Sequence, residues 1–192
     1  MTKKERYAYF SVDIEAAGPA PPYSMLSIGA VYTGTPPAEF YSELKPISEE
    51  FDPKALEANG FDLSKLKVTG QEPEAAMRSF SEWVKEISYG KRPVFVSYGT
   101  FDWMFVQFYL SKYTGEILFG PNGLDLKSFS MGVLHLQTWR ETTEQKVMDL
   151  IGLKRDPSSV EHNALDDARK QARLFNLLQE IRSRHDRTKL KV

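Results

Sequence analysis

Asp13 and Glu15 stand two residues apart at the end of an apolar run that begins near Tyr7. Residues two apart on an extended strand project from one face, so both carboxylates can address a single cation. Beside Val12 and Ile14 such charges are costly to bury alone, and no Lys or Arg lies nearby in sequence. A metal ion is the simplest partner. In isolation, Asp-x-Glu at a strand end is more often a pair of exposed loop acids, and the pattern gains weight only from two later pieces.

The first is Asp102, which opens an apolar helical pattern with Phe105, Val106 and Tyr109 at i+3, i+4 and i+7. A first-turn acid there also suits the helix dipole. The second is His162-Asn163-Ala164-Leu165-Asp166-Asp167. Asp167 shares a helical row with Ala164, Gln171, Leu174 and Leu178, whereas Asp166 shares one with Arg169, Lys170 and Arg173. Asp167 is therefore expected to border the packed face and point toward the sheet, and Asp166 to be a solvated ion-pairing residue. His162 lies just before this helix, where a loop imidazole can swing over a metal site and titrate near neutral pH. Its plainer alternative is a surface or capping residue.

The 192 residues contain no cysteine, so any metal is held by oxygen or imidazole, which favours Mg²⁺ or Mn²⁺. With 41% hydrophobic residues the chain reads as one domain over 1–192 with a substantial core. A net charge of −1 argues against a protein that coats long nucleic acid by electrostatics alone, but not against a site that engages a few terminal nucleotides, and it discriminates weakly. The N-terminus, Met1 to Arg6, is charged and leads into a strand without an apolar signal core. No segment approaches a membrane span. The expectation is a cytoplasmic protein with no membrane association.

These candidate residues need elements to position them. Strands are expected over 6–14, 25–33 and 38–45, separated by Gly18-Pro19-Ala20-Pro21-Pro22 and by Gly34-Thr35-Pro36-Pro37. Short connections make them an antiparallel meander. Ala75, Ala76, Phe80, Trp83, Val84 and Ile87 give an amphipathic helix over 73–88, followed by a buried strand at Val94-Phe95-Val96 and a helix over 101–112. Further helices are expected over 125–134, 143–150 and 164–183. Three strands followed by alternating helix and strand point to an α/β protein with a mixed sheet flanked by helices.

The order and local spelling of the three acidic pieces resemble the DEDDh 3'-5' exonucleases, a family within the ribonuclease H-like superfold, over roughly residues 6 to 182. That family carries Asp-x-Glu after its first strand, an Asp opening a helix, and His-x-Ala-x-x-Asp on its last long helix. The resemblance implies a ribonuclease H-like mixed sheet, an antiparallel meander plus parallel strands. It implies Asp13, Glu15, Asp102 and Asp167 as metal-binding acids and His162 as general base. Two Mg²⁺ or Mn²⁺ ions about 4 Å apart would activate water and stabilise the leaving oxygen, with Asp13 bridging. It also implies a single-stranded RNA or DNA partner, shortened from its 3' end with release of nucleoside 5'-monophosphates.

Two departures from the usual spelling bear on substrate preference. Ala16-Ala17-Gly18 lacks the hydroxyl residue that adjoins the terminal ribose, so Ala16 and Ala17 stand at substrate-binding positions. Ser97-Tyr98 replaces a frequent His-Asn pair. Phe101 is a candidate to stack on or wedge against a terminal base, whereas Phe105 and Phe108 read as core. Several family members are dimers, which leaves a homodimer open. Arg182, Arg184, Arg187, Lys189 and Lys191 form either an extended nucleic-acid path or a solvated terminus. From the residues alone, the reading is metal-assisted phosphoester hydrolysis. Its rivals are another metal-dependent phosphoesterase and a non-catalytic nucleic-acid-binding module on the same fold.

Overall fold

The computed structural model describes residues 6–189, with side chains through residue 184. Its centre is strand β1 (Tyr7–Ala16), long and rich in Tyr, Phe, Val and Ile. To one side lie β2 (Met25–Tyr32) and β3 (Ala38–Glu43), each antiparallel to its neighbour. To the other lie β4 (Arg92–Ser97) and the two-residue β5 (Leu124–Asp125), both parallel. The order is β3-β2-β1-β4-β5, the expected meander joined to parallel strands. No helix among the described residues is long and apolar enough to cross a membrane.

Alternation along β1 assigns its two faces. Ala8, Phe10, Val12 and Ile14 join one core with Ala76, Phe80 and Val84 of α3 (Pro73–Ser88) and Phe105, Val106 and Tyr109 of α4 (Phe101–Thr114). Phe10 makes an edge-on contact with Trp83 at a 5.4 Å centroid separation. Burial of each large apolar side chain such as Phe10 or Val12 contributes about 1.5–3 kcal/mol. The opposite face is covered by α5 (Leu126–Val133), α6 (Glu144–Ile151) and α7 (Ala164–Lys189), through Val96, Leu126, Val147, Leu174, Phe175 and Leu178. Asp13 and Glu15 alternate onto this second face, beneath the start of α7.

Two helices and one strand were not expected from the sequence. α1 (Pro53–Asn59) and α2 (Leu63–Thr69) are capped by Asp52 and Asp62 and pack on a small cluster of Ala17, Leu26 and Leu66. β5 extends the sheet by two residues, and α7 continues past the expected end at 183 to Lys189. Near the C-terminus, Arg182 stacks over Phe129 and Arg184 pairs with Glu180. The side chains of Arg187 and Lys189, Lys191 itself, and Met1 to Glu5 lie outside the described residues.

Candidate active site

A cavity of about 380 Å³ opens at the C-terminal end of β1, lined by Asp13, Glu15, Phe101, Asp102, His162 and Asp167. Three separate elements carry these residues to one place. Asp13, Glu15 and Asp167 each offer a carboxylate oxygen, and the three oxygens lie within 4.8 Å of one another. Asp102 stands outside that tight group but lines the same cavity.

How Asp102 arrives there follows from the sheet. The β1–β4 ladder ends at Ser11 and Val96, and beyond it Asp102 Oδ1 accepts the Ile14 backbone N–H at 3.1 Å. The second motif is thereby fastened directly to the strand that carries the first. Asp102 is only 5% exposed.

α7 brings Asp167. Asn163 caps this helix, its Oδ1 accepting the N–H groups of Leu165 and Asp166 at 3.1 and 3.2 Å. The helix can lie so close to the sheet because Gly29, the β2 partner of Asp13, has no side chain. A Cβ there would fall 2.3 Å from backbone atoms of Ala164 and Leu165. The sequence signals for both were present, an Asn before an apolar helical run and a glycine inside a strand pattern. Neither was singled out.

Two further residues of α7 line the cavity without having been foreseen in that role. Gln171, 3% exposed, donates from Nε2 to Asp13 Oδ1 at 2.6 Å and accepts the Tyr98 backbone N–H at 3.1 Å. It braces the first motif against the loop that precedes the second. Lys170 sits between Asp167, at 2.6 Å, and Glu144 of α6, at 3.0 Å. Burial pulls its ammonium down, but the hydrogen bond to Asp167 and the charge of Glu144 outweigh that and raise it. This corrects two expectations. Asp13 and its neighbours do have a cation nearby, supplied by the fold and not by adjacent sequence. Lys170 belongs with Asp167 and not with Asp166.

Asp166 does pair with Arg169, at 2.7 Å, as its row implied. It is not simply solvated, since it also accepts the Val160 backbone N–H at 2.9 Å and its side chain is 17% exposed. Arg169 reaches on to Glu39 of β3 at 2.6 Å. The two adjacent acids thus face different surroundings, one the cavity and the other a structural tie across the helix start.

His162 is exposed at the cavity wall with φ of 57°, left-handed backbone uncommon for a residue other than glycine. Phe101 is 40% exposed at the mouth, its ring 5.0 Å from that of Phe105 behind it. Phe105 is fully buried, as expected for core. Ala16 and Ala17, placed at substrate positions by the sequence, are 5% and 0% exposed and do not line the cavity. Ala17 is pinned by backbone bonds to Ser24 and Asp52, and the Ala16 carbonyl accepts the Asn59 amide. The Ala17 methyl packs in the small cluster beside α1 and α2 and the Ala16 methyl in the main core, so neither side chain is presented to the cavity.

The electrostatics show what the cluster lacks. Burial, reinforced by the charges of Asp102, Asp167 and Glu15, lifts the Asp13 carboxyl well above the ordinary carboxylate range. Burial first, then Asp167 and Asp102, pushes Glu15 up to about 8. Burial lifts Asp102 to about 7 against the opposing Ile14 hydrogen bond. Acids held this close resist ionising together without more positive charge than Lys170 alone supplies. An all-oxygen set of convergent carboxylates fits hard divalent cations such as Mg²⁺ or Mn²⁺.

Comparison with known proteins agrees with this geometry. Residues 8–179 match the family model of the 3'-5' exoribonuclease Rv2179c-like domain. The chain belongs to this family. A curated relative, the 3'-5' DNA exonuclease Cap18 of Escherichia coli, is 40% identical over 182 residues, covering 93% of this chain and 95% of the relative. The DEDDh resemblance read from the three motifs is thus borne out, and the protein is a hydrolase of the 3'-5' exonuclease class.

Solved structures share its fold. The nuclease domain of 3'hExo, a DEDDh member bound to rAMP, superposes with a TM-score of 0.70 at 14% identity, covering 93% of this chain and 94% of that one. Pop2p of S. pombe, in a form with Mg²⁺ and Mn²⁺ bound, gives 0.63 at 19% identity, covering 94% and 84%. Against a full-length 3'-exonuclease the TM-score is 0.71 at 13% identity over 91% of this chain, which spans 60% of that protein's length. The mixed, helix-flanked sheet is the ribonuclease H-like fold expected from the sequence.

Proposed function

We propose that this protein removes nucleotides one at a time from the 3' end of single-stranded RNA or DNA, releasing nucleoside 5'-monophosphates. The observation that carries the reading is the convergence of Asp13, Glu15 and Asp167 within 4.8 Å, in one cavity with Asp102 and His162. The relatives support the direction of attack and divide on the sugar, one described as an exoribonuclease and the other as a DNA exonuclease.

Asp13, Glu15, Asp102 and Asp167 would hold two divalent ions. When bound, such ions supply a nucleophile at neutral pH and stabilise charge on the leaving oxygen. The protein's own residues do the rest. His162, free of burial at the wall, accepts the proton of the attacking water at an imidazole nitrogen, a general-base role that contributes about 10²–10⁴-fold. Gln171 holds Asp13 in one orientation through its 2.6 Å bond, which keeps the cluster preorganised. Lys170 keeps a positive charge beside Asp167 before substrate arrives. Phe101 presents an exposed ring at the mouth, where a terminal base can stack.

The test is incubation with 5'-labelled and 3'-labelled single strands of RNA and DNA in Mg²⁺ or Mn²⁺. The 5'-labelled strands should shorten in single-nucleotide steps, and the 3'-labelled strands should release labelled mononucleotide at once. Cleavage of a circular single strand would show an endonuclease instead, and products bearing 3'-phosphates would contradict the proposed bond cleavage.

A further inference from the structure

We propose that Trp139, with Lys127 over its face, forms a second single-strand binding platform that takes a base and phosphate upstream of the cleaved nucleotide. The inference rests on the exonuclease reading for the direction in which the strand leaves the cavity.

Trp139 opens a short 3₁₀ turn, Trp139–Thr142, and is 55% exposed. The Lys127 ammonium sits 4.6 Å from its ring centroid. An exposed indole under a cation matches the chemistry of single-strand binders, which stack bases on aromatic rings and follow the backbone with positive charge.

The platform is built, not incidental. Glu141 accepts the N–H groups of Gln137 and Thr138, each at 2.8 Å, which fixes the start of the turn. Thr142, fully buried, donates from its hydroxyl to the Trp139 carbonyl at 2.8 Å. Tyr98 donates to the Thr142 carbonyl at 2.8 Å, tying the turn to the loop that precedes Asp102. The same loop is tied to Lys127, because Asp125 Oδ1 accepts both the Gly99 and the Lys127 N–H at 2.9 Å. Trp139 and Lys127 therefore keep a fixed relation to Phe101 and Asp102.

Distance makes the relation useful. The Lys127 side chain passes 4.0 Å from where a Gly99 Cβ would stand. Gly99 and Phe101, two residues apart, are separated by at most about 7 Å. A strand with its terminal base at Phe101 must carry its next nucleotides across a nearby part of the rim. The charge there suits phosphate: Arg140, next in the chain to Trp139, is exposed, and the exposed Lys146 places its ammonium 3.0 Å from the Arg140 carbonyl. The adjacent acids Asp125 and Glu141 are engaged as caps.

The experiment compares a dinucleotide with an eight-nucleotide single strand, using wild type, Trp139→Ala and Lys127→Gln, with thermal unfolding as a check on folding. Loss of one base stack is worth a factor of about 5 to 150 in affinity. Trp139→Ala should raise KM for the longer strand about tenfold or more, with kcat little changed and dinucleotide turnover within about twofold of wild type. Lys127→Gln should flatten the salt dependence of binding, by about 0.7 in log–log slope for one phosphate contact. Binding of the longer strand measured by anisotropy in Ca²⁺ reads the platform without turnover. Wild type that shortens neither substrate would sink the exonuclease reading, while the anisotropy arm still judges the platform. Equal affinity of wild type and Trp139→Ala for the longer strand would overturn this proposal, as would equal slowing of both substrates.

Discussion

Replacing Glu15 with glutamine should make the metal-free protein more stable at alkaline pH while removing its activity. Glu15 has an ordinary value of 4.5 when unfolded and is pushed up to about 8 in the fold, by burial first and then by Asp167 and Asp102. Between these values the folded protein holds a proton that the unfolded chain has released. Stability attributable to Glu15 is therefore intact below about 4.5 and is lost as pH rises through about 8. At about 1.36 kcal/mol per pH unit, forcing this carboxylate to ionise costs up to about 5 kcal/mol. Glu15 keeps some contact with water, and half of that ceiling is the better expectation. For a chain of this size about 2 kcal/mol corresponds to roughly 4–8 °C in Tm. The assay is thermal unfolding in EDTA at about pH 5 and pH 9. Glu15→Gln should match wild type at the lower pH and melt several degrees higher at the upper one. Adding Mg²⁺ at the upper pH should stabilise wild type far more than the variant. A variant that melts at or below wild type in EDTA at about pH 9 would refute the claim that the cluster is electrostatically incomplete.

Other outcomes follow from the same geometry. Asp167→Asn should nearly eliminate turnover, whereas Asp166→Asn, which loses the Arg169 tie, should lower Tm and leave kcat largely intact; equal kinetic damage from both would contradict their separate surroundings. His162→Ala should unfold like wild type and hydrolyse about 10²–10⁴-fold more slowly, and normal rates would remove His162 from the mechanism. Gly29→Ala should force the start of α7 off the sheet, destabilising by about 1–3 kcal/mol and slowing turnover by about 10²-fold through displacement of Asp167, as read by unfolding and steady-state kinetics. Phe101→Ala should weaken single-strand binding by about 1–3 kcal/mol, seen as raised KM with modest loss of kcat; a variant that binds normally but melts much lower would make Phe101 a packing residue only.

Much of the site was legible in the sequence because its motifs ride on strongly patterned elements. The β1 to β3 meander is marked by β-branched and aromatic runs between proline-rich turns, and α3, with its clean helical periodicity, runs over the expected Pro73–Ser88. Helical phase separated Asp166 from Asp167. It could not assign Lys170, which is i+4 from one acid and i+3 from the other, because the choice is made by Glu144 on a different helix. Gln171 was read as part of a packed row, and only the fold reveals that its amide spans Asp13 and Tyr98. α1 and α2, seven residues each, are too short for a periodic signal, although Asp52, Gly60, Asp62 and Gly70 already mark their ends. Their packing also buries Ala17, which keeps its side chain out of the cavity.

The central claim, that convergent carboxylates at the end of β1 hold the divalent ions required for 3'-end hydrolysis, is tested most directly by calorimetric titration of Mn²⁺ into wild type and Asp13→Asn in the presence of a nucleoside 5'-monophosphate. The account predicts two ions per chain for wild type and loss of at least one in the variant, with affinity rising with pH as Glu15 and Asp102 give up their protons near 8 and 7. Two ions bound by Asp13→Asn with undiminished affinity would contradict it.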